Sequence, residues 1–105
     1  VSCYNYSRER PRMKFEWDEN KNQINWQKHG FNFNDAKELF VNEFWAYEDT
    51  RQDYGEKRMI GYGFVQARLM AVAYTNRHPN ICRLISFRRA NSREEALYEK
   101  YCKNT

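Results

Sequence analysis

No stretch of this chain stays apolar for anything near the roughly 20 residues a membrane-spanning helix needs. Residues 1–12 also lack the apolar centre of a secretory leader. Cysteine is scarce and odd in number. Cys3, Cys82 and Cys102 lie far apart without metal-ligand spacing, which points to structural thiols in a reducing cytoplasm. Only two histidines occur, His29 and His78, so a paired-histidine acid–base site is formally open but not indicated by their positions. No internal repeat, low-complexity tract or helix-turn-helix spacing is present, and the last absence argues against a DNA-binding repressor.

What remains is one small, aromatic, basic domain. A length of 105 residues allows a single modest core and no second one. The apolar content of 41% suffices to fold because 17% of the residues are aromatic and bury much area each. The mean hydropathy of −1.07 reflects a charged, amide-rich surface rather than disorder. The net charge of +4 is unevenly spread. Residues 1–57 hold 9 basic and 11 acidic side chains (−2), whereas residues 58–105 hold 9 and 3 (+6). Seven of the later nine are arginines, whose planar fork suits phosphate better than lysine does. That asymmetry fits a polyanion or an acidic protein partner, or equally an ordinary solvated surface.

Residues 1–12, with Arg8, Arg10, Pro11 and Arg12, show no regular period and read as a flexible extension ahead of a single domain over 13–105. Residues 13–17 alternate as a short strand. Asp18 is then a plausible N-cap, with Glu19 in the first turn of a helix that stops at Lys28-His29-Gly30. The apolar side of that helix is thin, chiefly Ile24 with Trp17 and Trp26, so it must rest on a sheet. A second helix begins near Asn34, turns Ala36, Leu39 and Phe40 inward and closes at Asn42. Strands follow over 44–48, 58–65, 68–75 and 81–89, with a turn at Gln66-Ala67 inferred from its flanks rather than its own chemistry. Simple alternation puts Ile60, Tyr62, Leu69, Ala71, Ala73, Ile85 and Phe87 on one face, and Met70, Val72, Tyr74, Cys82, Leu84, Ser86 and Arg88 on the other. Both faces are apolar enough to need covering. Ser92, with Glu95 three residues on, predicts a capping box for a last helix carrying Ala96, Leu97, Tyr98 and Tyr101.

Four pieces in order resemble the BrnT family of toxin–antitoxin ribonucleases. They are Trp17, Asp18, Lys21, Asn25, Lys28, His29, Gly30, Phe33 and Ala36; then Gly55 to Arg58; then Tyr74 to Arg77; then Arg83, Leu84, Ile85, Ser86, Arg88 and Ala90, leading to Arg93 and Glu94. The likeness spans nearly all of 13–101. One departure is Gln66-Ala67, where relatives tend to carry Asp-Gly, which bears on the hairpin and not on function. The resemblance implies an α+β, RelE-like fold: a mainly antiparallel sheet of about five strands, two N-terminal helices and one C-terminal helix. It further implies a cytoplasmic bacterial endoribonuclease that blocks translation by cutting RNA without metal or cofactor. Its partner would be a BrnA-like ribbon-helix-helix antitoxin, bound as a heterotetramer that reaches operator DNA only through the antitoxin.

RNA cleavage by the 2′-hydroxyl needs a proton acceptor, cationic donors for the phosphorane and a proton source for the leaving oxygen. Arg88, at a strand end, and Arg93, just inside the next helix where free N–H groups also favour an anion, are the first choice for the phosphate. The plain alternative is a solvated strand end with an ion pair to Glu94 or Glu99. Arg58 either completes that cluster or pairs with Glu56. His29 is either the proton-transfer group or a cation serving its helix terminus, and Lys28 carries the same two readings. Tyr74 either stacks a base, or donates to the leaving oxygen, or packs inside. Arg77 and His78 either touch the RNA backbone or sit on an ordinary exposed loop. A non-catalytic module that docks an antitoxin-like helix or nucleic acid is the competing function.

Overall fold

A computed structural model describes residues 2–4, 13–77 and 80–103. Strand β1 (Ser2–Tyr4) comes first, then β2 (Lys14–Glu16) and helix α1 (Glu19–His29). A 3-10 turn (Phe33–Ala36) runs into helix α2 (Lys37–Val41). Strands β3 (Phe44–Glu48), β4 (Met59–Val65), β5 (Arg68–Arg77) and β6 (Ile81–Arg89) precede helix α3 (Ser92–Tyr98) and a closing π-helical turn (Glu99–Lys103). Among the described residues the six strands form one sheet in the order β1-β3-β4-β5-β6-β2. The fold is α+β, and the sheet is mixed rather than wholly antiparallel: β2 runs parallel to β6 while the other pairings are antiparallel. Of the extension expected over 1–12, only Ser2–Tyr4 is described, as a strand beside Phe44–Ala46. The rest lies outside the described residues.

Alternation in the strands loads the two faces separately. Phe44, Met70, Val72, Tyr74, Cys82, Leu84 and Phe87 pack under Phe33, Ala36, Leu39 and Phe40 from the helical layer. Trp45, Ile60, Tyr62, Leu69 and Ala71 pack against Tyr98 and Cys102 from the C-terminal segment. Contact in the first layer is close enough that a Cβ on Gly63 would stand 2.9 Å from Leu39 Cγ and 3.0 Å from Phe44 Cβ. Glycine is what lets α2 approach the sheet there. Cys102 is disulfide-bonded, which corrects the expectation of reduced thiols throughout, whereas Cys82 is a buried free thiol.

Helix α1 starts and stops where its caps dictate. Asp18 accepts from the Asn20 N–H at 2.9 Å, and Gly30 takes φ +79° while its N–H returns to the Trp26 carbonyl. Its inward face departs from expectation. Ile24 and Trp26 are 62% and 55% exposed, while Asn22 and Asn25 are buried. Beyond Arg83 the edge of β6 is no longer covered by β2, and an amide serves an open edge better than an alkyl group. Asn25 Nδ2 donates to the Phe87 carbonyl at 2.8 Å, and its Oδ1 accepts from the Phe87 N–H at 3.0 Å.

The alternation expected along β6 also fails at one residue. Tyr74 pairs with Leu84 but Ala73 pairs with Ser86, so Ile85 is an extra residue between them. Such a bulge reverses the facing of everything after it. Phe87 therefore joins the layer under the N-terminal helices, and Ser86 and Arg88 move to the face of Tyr62 and Ala71, opposite to the simple period-two reading.

Candidate active site

The β6 bulge puts Arg88 at the end of a cross-strand row. Trp45 pairs with Tyr62, Tyr62 with Ala71 and Ala71 with Arg88. Ala71 is small, so the guanidinium reaches over it. The chain then turns at Ala90, and Asn91 caps α3: its side chain accepts from the Glu94 N–H at 2.9 Å, and Glu94 Oε1 accepts from the Asn91 N–H at 2.9 Å. The capping box is thus Asn91–Glu94, one residue earlier than the expected Ser92–Glu95. That shift turns Glu94 inward over the sheet.

Arg88 meets Glu94 in a fork: Nη1 to Oε1 at 2.8 Å and Nη2 to Oε2 at 2.8 Å. Tyr62 Oη donates to Glu94 Oε2 at 2.9 Å, and Tyr47 Oη lies 3.0 Å from Tyr62 Oη. Four donors therefore occupy the four lone-pair positions of this carboxylate. Burial pushes the Glu94 carboxyl up, but Arg88, the Asn91 N–H and Tyr62 outweigh it and hold it at about 2. Burial and the hydrogen bonds to Tyr47 and Glu94 push the Tyr62 phenol well above its ordinary value. Arg88 also donates Nη1 to the Arg89 carbonyl at 3.2 Å. Its Nε–H and one Nη2–H have no acceptor among the described residues.

These groups border a hollow of about 470 Å³. Arg93 lies on its α3 side, exposed and without hydrogen bond or ion pair among the described residues. Across from it stand Tyr47, Asp49, Thr50 and Arg51. Arg51 grips Asp49 with Nε and Nη2, both at 2.9 Å, its N–H adds a third bond at 3.1 Å, and Tyr54 Oη adds a fourth at 2.8 Å. The Arg51 guanidinium, helped by Tyr54, thereby holds the Asp49 carboxyl far below the ordinary range despite the desolvation around it. Glu48 also borders the hollow, but it pairs with Met59, whose side chain packs in the other layer, so the register turns Glu48 away. Both inward carboxylates are thus answered by arginine, and Arg93 is the surplus cation.

Of the residues expected at the site, Arg88 and Arg93 share this hollow. Arg58 does not line it: it pairs with Glu56 at 3.5 Å and lies over the Tyr54 ring at 4.2 Å. Arg77 also reaches Glu56, at 3.4 Å, at the far end of β5. Tyr74 is 1% exposed and stands edge-on to Phe40 at 5.0 Å, in the core on the opposite face and away from this hollow. His29 and Lys28 border a separate depression along β6 with Lys21, Ile24 and Ile85. Burial lowers the pKa of His29, and the charges of Lys28 and Arg88 push it the same way, which favours the neutral imidazole. His78 lies outside the described residues. Tyr47, Tyr62 and Asp49 were not singled out by the sequence. Glu94 stood in the family pattern beside Arg93, and a strand register with the bulge in place would have named the tyrosines.

Comparison with known proteins agrees with this architecture. No curated protein matches the chain. The 1.1 Å crystal structure of the Brucella abortus ribonuclease toxin BrnT is similar at a TM-score of 0.59 and 29% identity, over 76% of this chain and 99% of that one. The family model described as the ribonuclease toxin BrnT of type II toxin-antitoxin systems matches residues 17–94, from the strand–helix start to the Glu94 cap. The chain therefore belongs to the BrnT family of ribonuclease toxins of type II toxin–antitoxin systems.

Proposed function

We propose that this toxin is a metal-independent endoribonuclease acting at the hollow between β6, α3 and the end of β3. The observation that carries this is the pairing of two unlike arginines. Among the described residues Arg88 is pinned by Glu94 with two N–H groups to spare, and Arg93 has no partner, at one hollow of ligand size. Two guanidiniums at one phosphate suit a step that adds charge to phosphorus. The 2′-oxygen of RNA bonds to the phosphorus, the bond to the 5′-oxygen breaks, and the proton lost by the 2′-hydroxyl ends on that leaving oxygen. The products are a 2′,3′-cyclic phosphate and a free 5′-hydroxyl, with no co-reactant. Arg88 and Arg93 stabilise the crowded phosphorane.

Neither inward carboxylate has a lone pair to spare for the proton, so Glu94 and Asp49 act by holding their arginines. His29 and Lys28, bordering the separate depression along β6, are proposed to hold the RNA backbone where it leaves the hollow. Arg58 and Arg77 have no place in this reading. Around this chemistry we propose a RelE-like domain over residues 13–105, a cytoplasmic setting and inhibition of translation through loss of RNA. The antitoxin that the family implies is proposed to be a BrnA-like ribbon-helix-helix protein in a heterotetramer that brings operator DNA.

The test is digestion of total RNA by purified protein in EDTA, with the ends of the fragments analysed. The parent protein should cut and leave 2′,3′-cyclic phosphates. Arg88→Ala and Arg93→Ala should each be slower by about 100-fold, the size expected for one transition-state donor. RNA left intact by folded parent protein would replace this reading with a non-catalytic binding module.

A further inference from the structure

The hydrogen bonds beside Arg88 have a fixed direction. Tyr62 has one proton and gives it to Glu94 Oε2 at 2.9 Å. The 3.0 Å contact between the two phenols must then run from Tyr47 to Tyr62. The chain of donors is Tyr47 to Tyr62 to Glu94, with Arg88 closing on the same carboxylate from the other side. Both phenols line the hollow, but Tyr62 is 1% exposed with its hydroxyl engaged by Glu94 and Tyr47, whereas Tyr47 is half-buried. The Tyr47 oxygen therefore meets a ligand with lone pairs only. Other oxygens nearby differ: those of Glu94 and Asp49 are filled, and the Thr50 hydroxyl is free to turn either way.

A neutral oxygen that can only accept is of no use to a phosphate, which has nothing to donate. It suits a donor next to the phosphate. We infer that the Tyr47 hydroxyl accepts a hydrogen bond from the ribose 2′-hydroxyl beside the phosphate held by Arg88 and Arg93, with Tyr62 and Glu94 as positioning residues that keep it an acceptor. Tyr47 then reads RNA against DNA, since deoxyribose lacks that donor. It also turns the 2′-oxygen toward phosphorus without taking its proton. This rests on the ribonuclease reading for its substrate but not for its test.

The test uses two oligonucleotides of one sequence that resist 2′-oxygen attack, one with 2′-amino sugars, which donate, and one with 2′-fluoro sugars, which do not. The parent should bind the 2′-amino strand about tenfold more tightly, the worth of one hydrogen bond. Tyr47→Phe should bind the two alike. Tyr62→Phe, which frees the Tyr47 proton to point outward, should shrink the preference. Arg88→Ala should weaken both strands together and keep their ratio, which separates loss of the phosphate grip from loss of the sugar contact. Equal binding by the parent, or a preference that survives Tyr47→Phe, would overturn the inference. Failure of the parent to cut RNA would overturn the ribonuclease reading instead and leave this measurement standing.

Discussion

Glu94 serves three neighbours at once: it closes the cap of α3, forks onto Arg88 and anchors Tyr62. Glu94→Gln keeps the shape but sets an amide N–H against a donor, leaving at least one partner unsatisfied. A loss of about 1–3 kcal/mol in stability at pH 7 is expected, kept modest because Arg88 is partly solvated. The sign of the pH effect follows from the carboxyl sitting at about 2 against an ordinary 4.5. The folded state favours the ionised form, so this stability is whole above pH 4.5 and disappears as the pH falls toward 2. Asp49 adds in the same direction. Melting curves from pH 7 to 2 should show the parent falling more steeply than Glu94→Gln, and parallel curves would remove Glu94 from this role. The sequence placed the box at Ser92–Glu95 because Ser92 and Asn91 are both good caps. The choice between them is made by Arg88, on the strand just before, and by Tyr62, on β4 and 32 residues back in the chain.

Elements were legible where local chemistry is strong. Asp18 and Gly30 bound α1 because their cap geometry needs nothing else in the fold. The β4–β5 hairpin was visible from its strands, not from its turn, and the structure shows why. Gln66 and Ala67 both take positive φ, 51° and 65°, the left-handed pair that a two-residue hairpin demands and that Asn-Gly meets without strain. Gln66→Asn with Ala67→Gly should therefore raise stability by about 1 kcal/mol, read as a higher midpoint in urea at unchanged slope. The bond from the Gln66 backbone N–H to the Glu38 carboxylate does not use the Gln66 side chain and should survive. No gain would mean that the flanking strands hold the turn regardless of its residues. What escaped the sequence was the Ile85 bulge, because an isoleucine among alternating residues carries no mark of being the extra one. That one residue decides which face Arg88 joins, so the site was legible as a list of arginines but not as a place.

Across the whole molecule, the surplus of +6 in residues 58–105 fitted a polyanion or acidic partner and an ordinary solvated surface equally, and the fold disperses most of it. Arg83 is tied to Glu16 at 2.9 Å where β2 meets β6, and Arg58 and Arg77 share Glu56. Arg68 and Arg89 border another hollow on the far side of α3, together with Glu95. Among the described arginines of residues 58–105, Arg88 and Arg93 alone share a hollow, opposite the Asp49-bound Arg51. Charge totals record how many guanidiniums the chain carries, but pairing and direction decide which of them reach a phosphate. Binding of single-stranded RNA should then depend on salt through those two. Each phosphate contact with a single strand contributes about 0.7 to the slope of log affinity against log salt. Arg88→Ala and Arg93→Ala should each flatten that slope by about this amount, while Arg83→Ala, whose charge is already met by Glu16, should leave it unchanged. An equal flattening by Arg83→Ala would mean that RNA is held by diffuse charge over the sheet edge, and that the hollow has no privileged place in recognition.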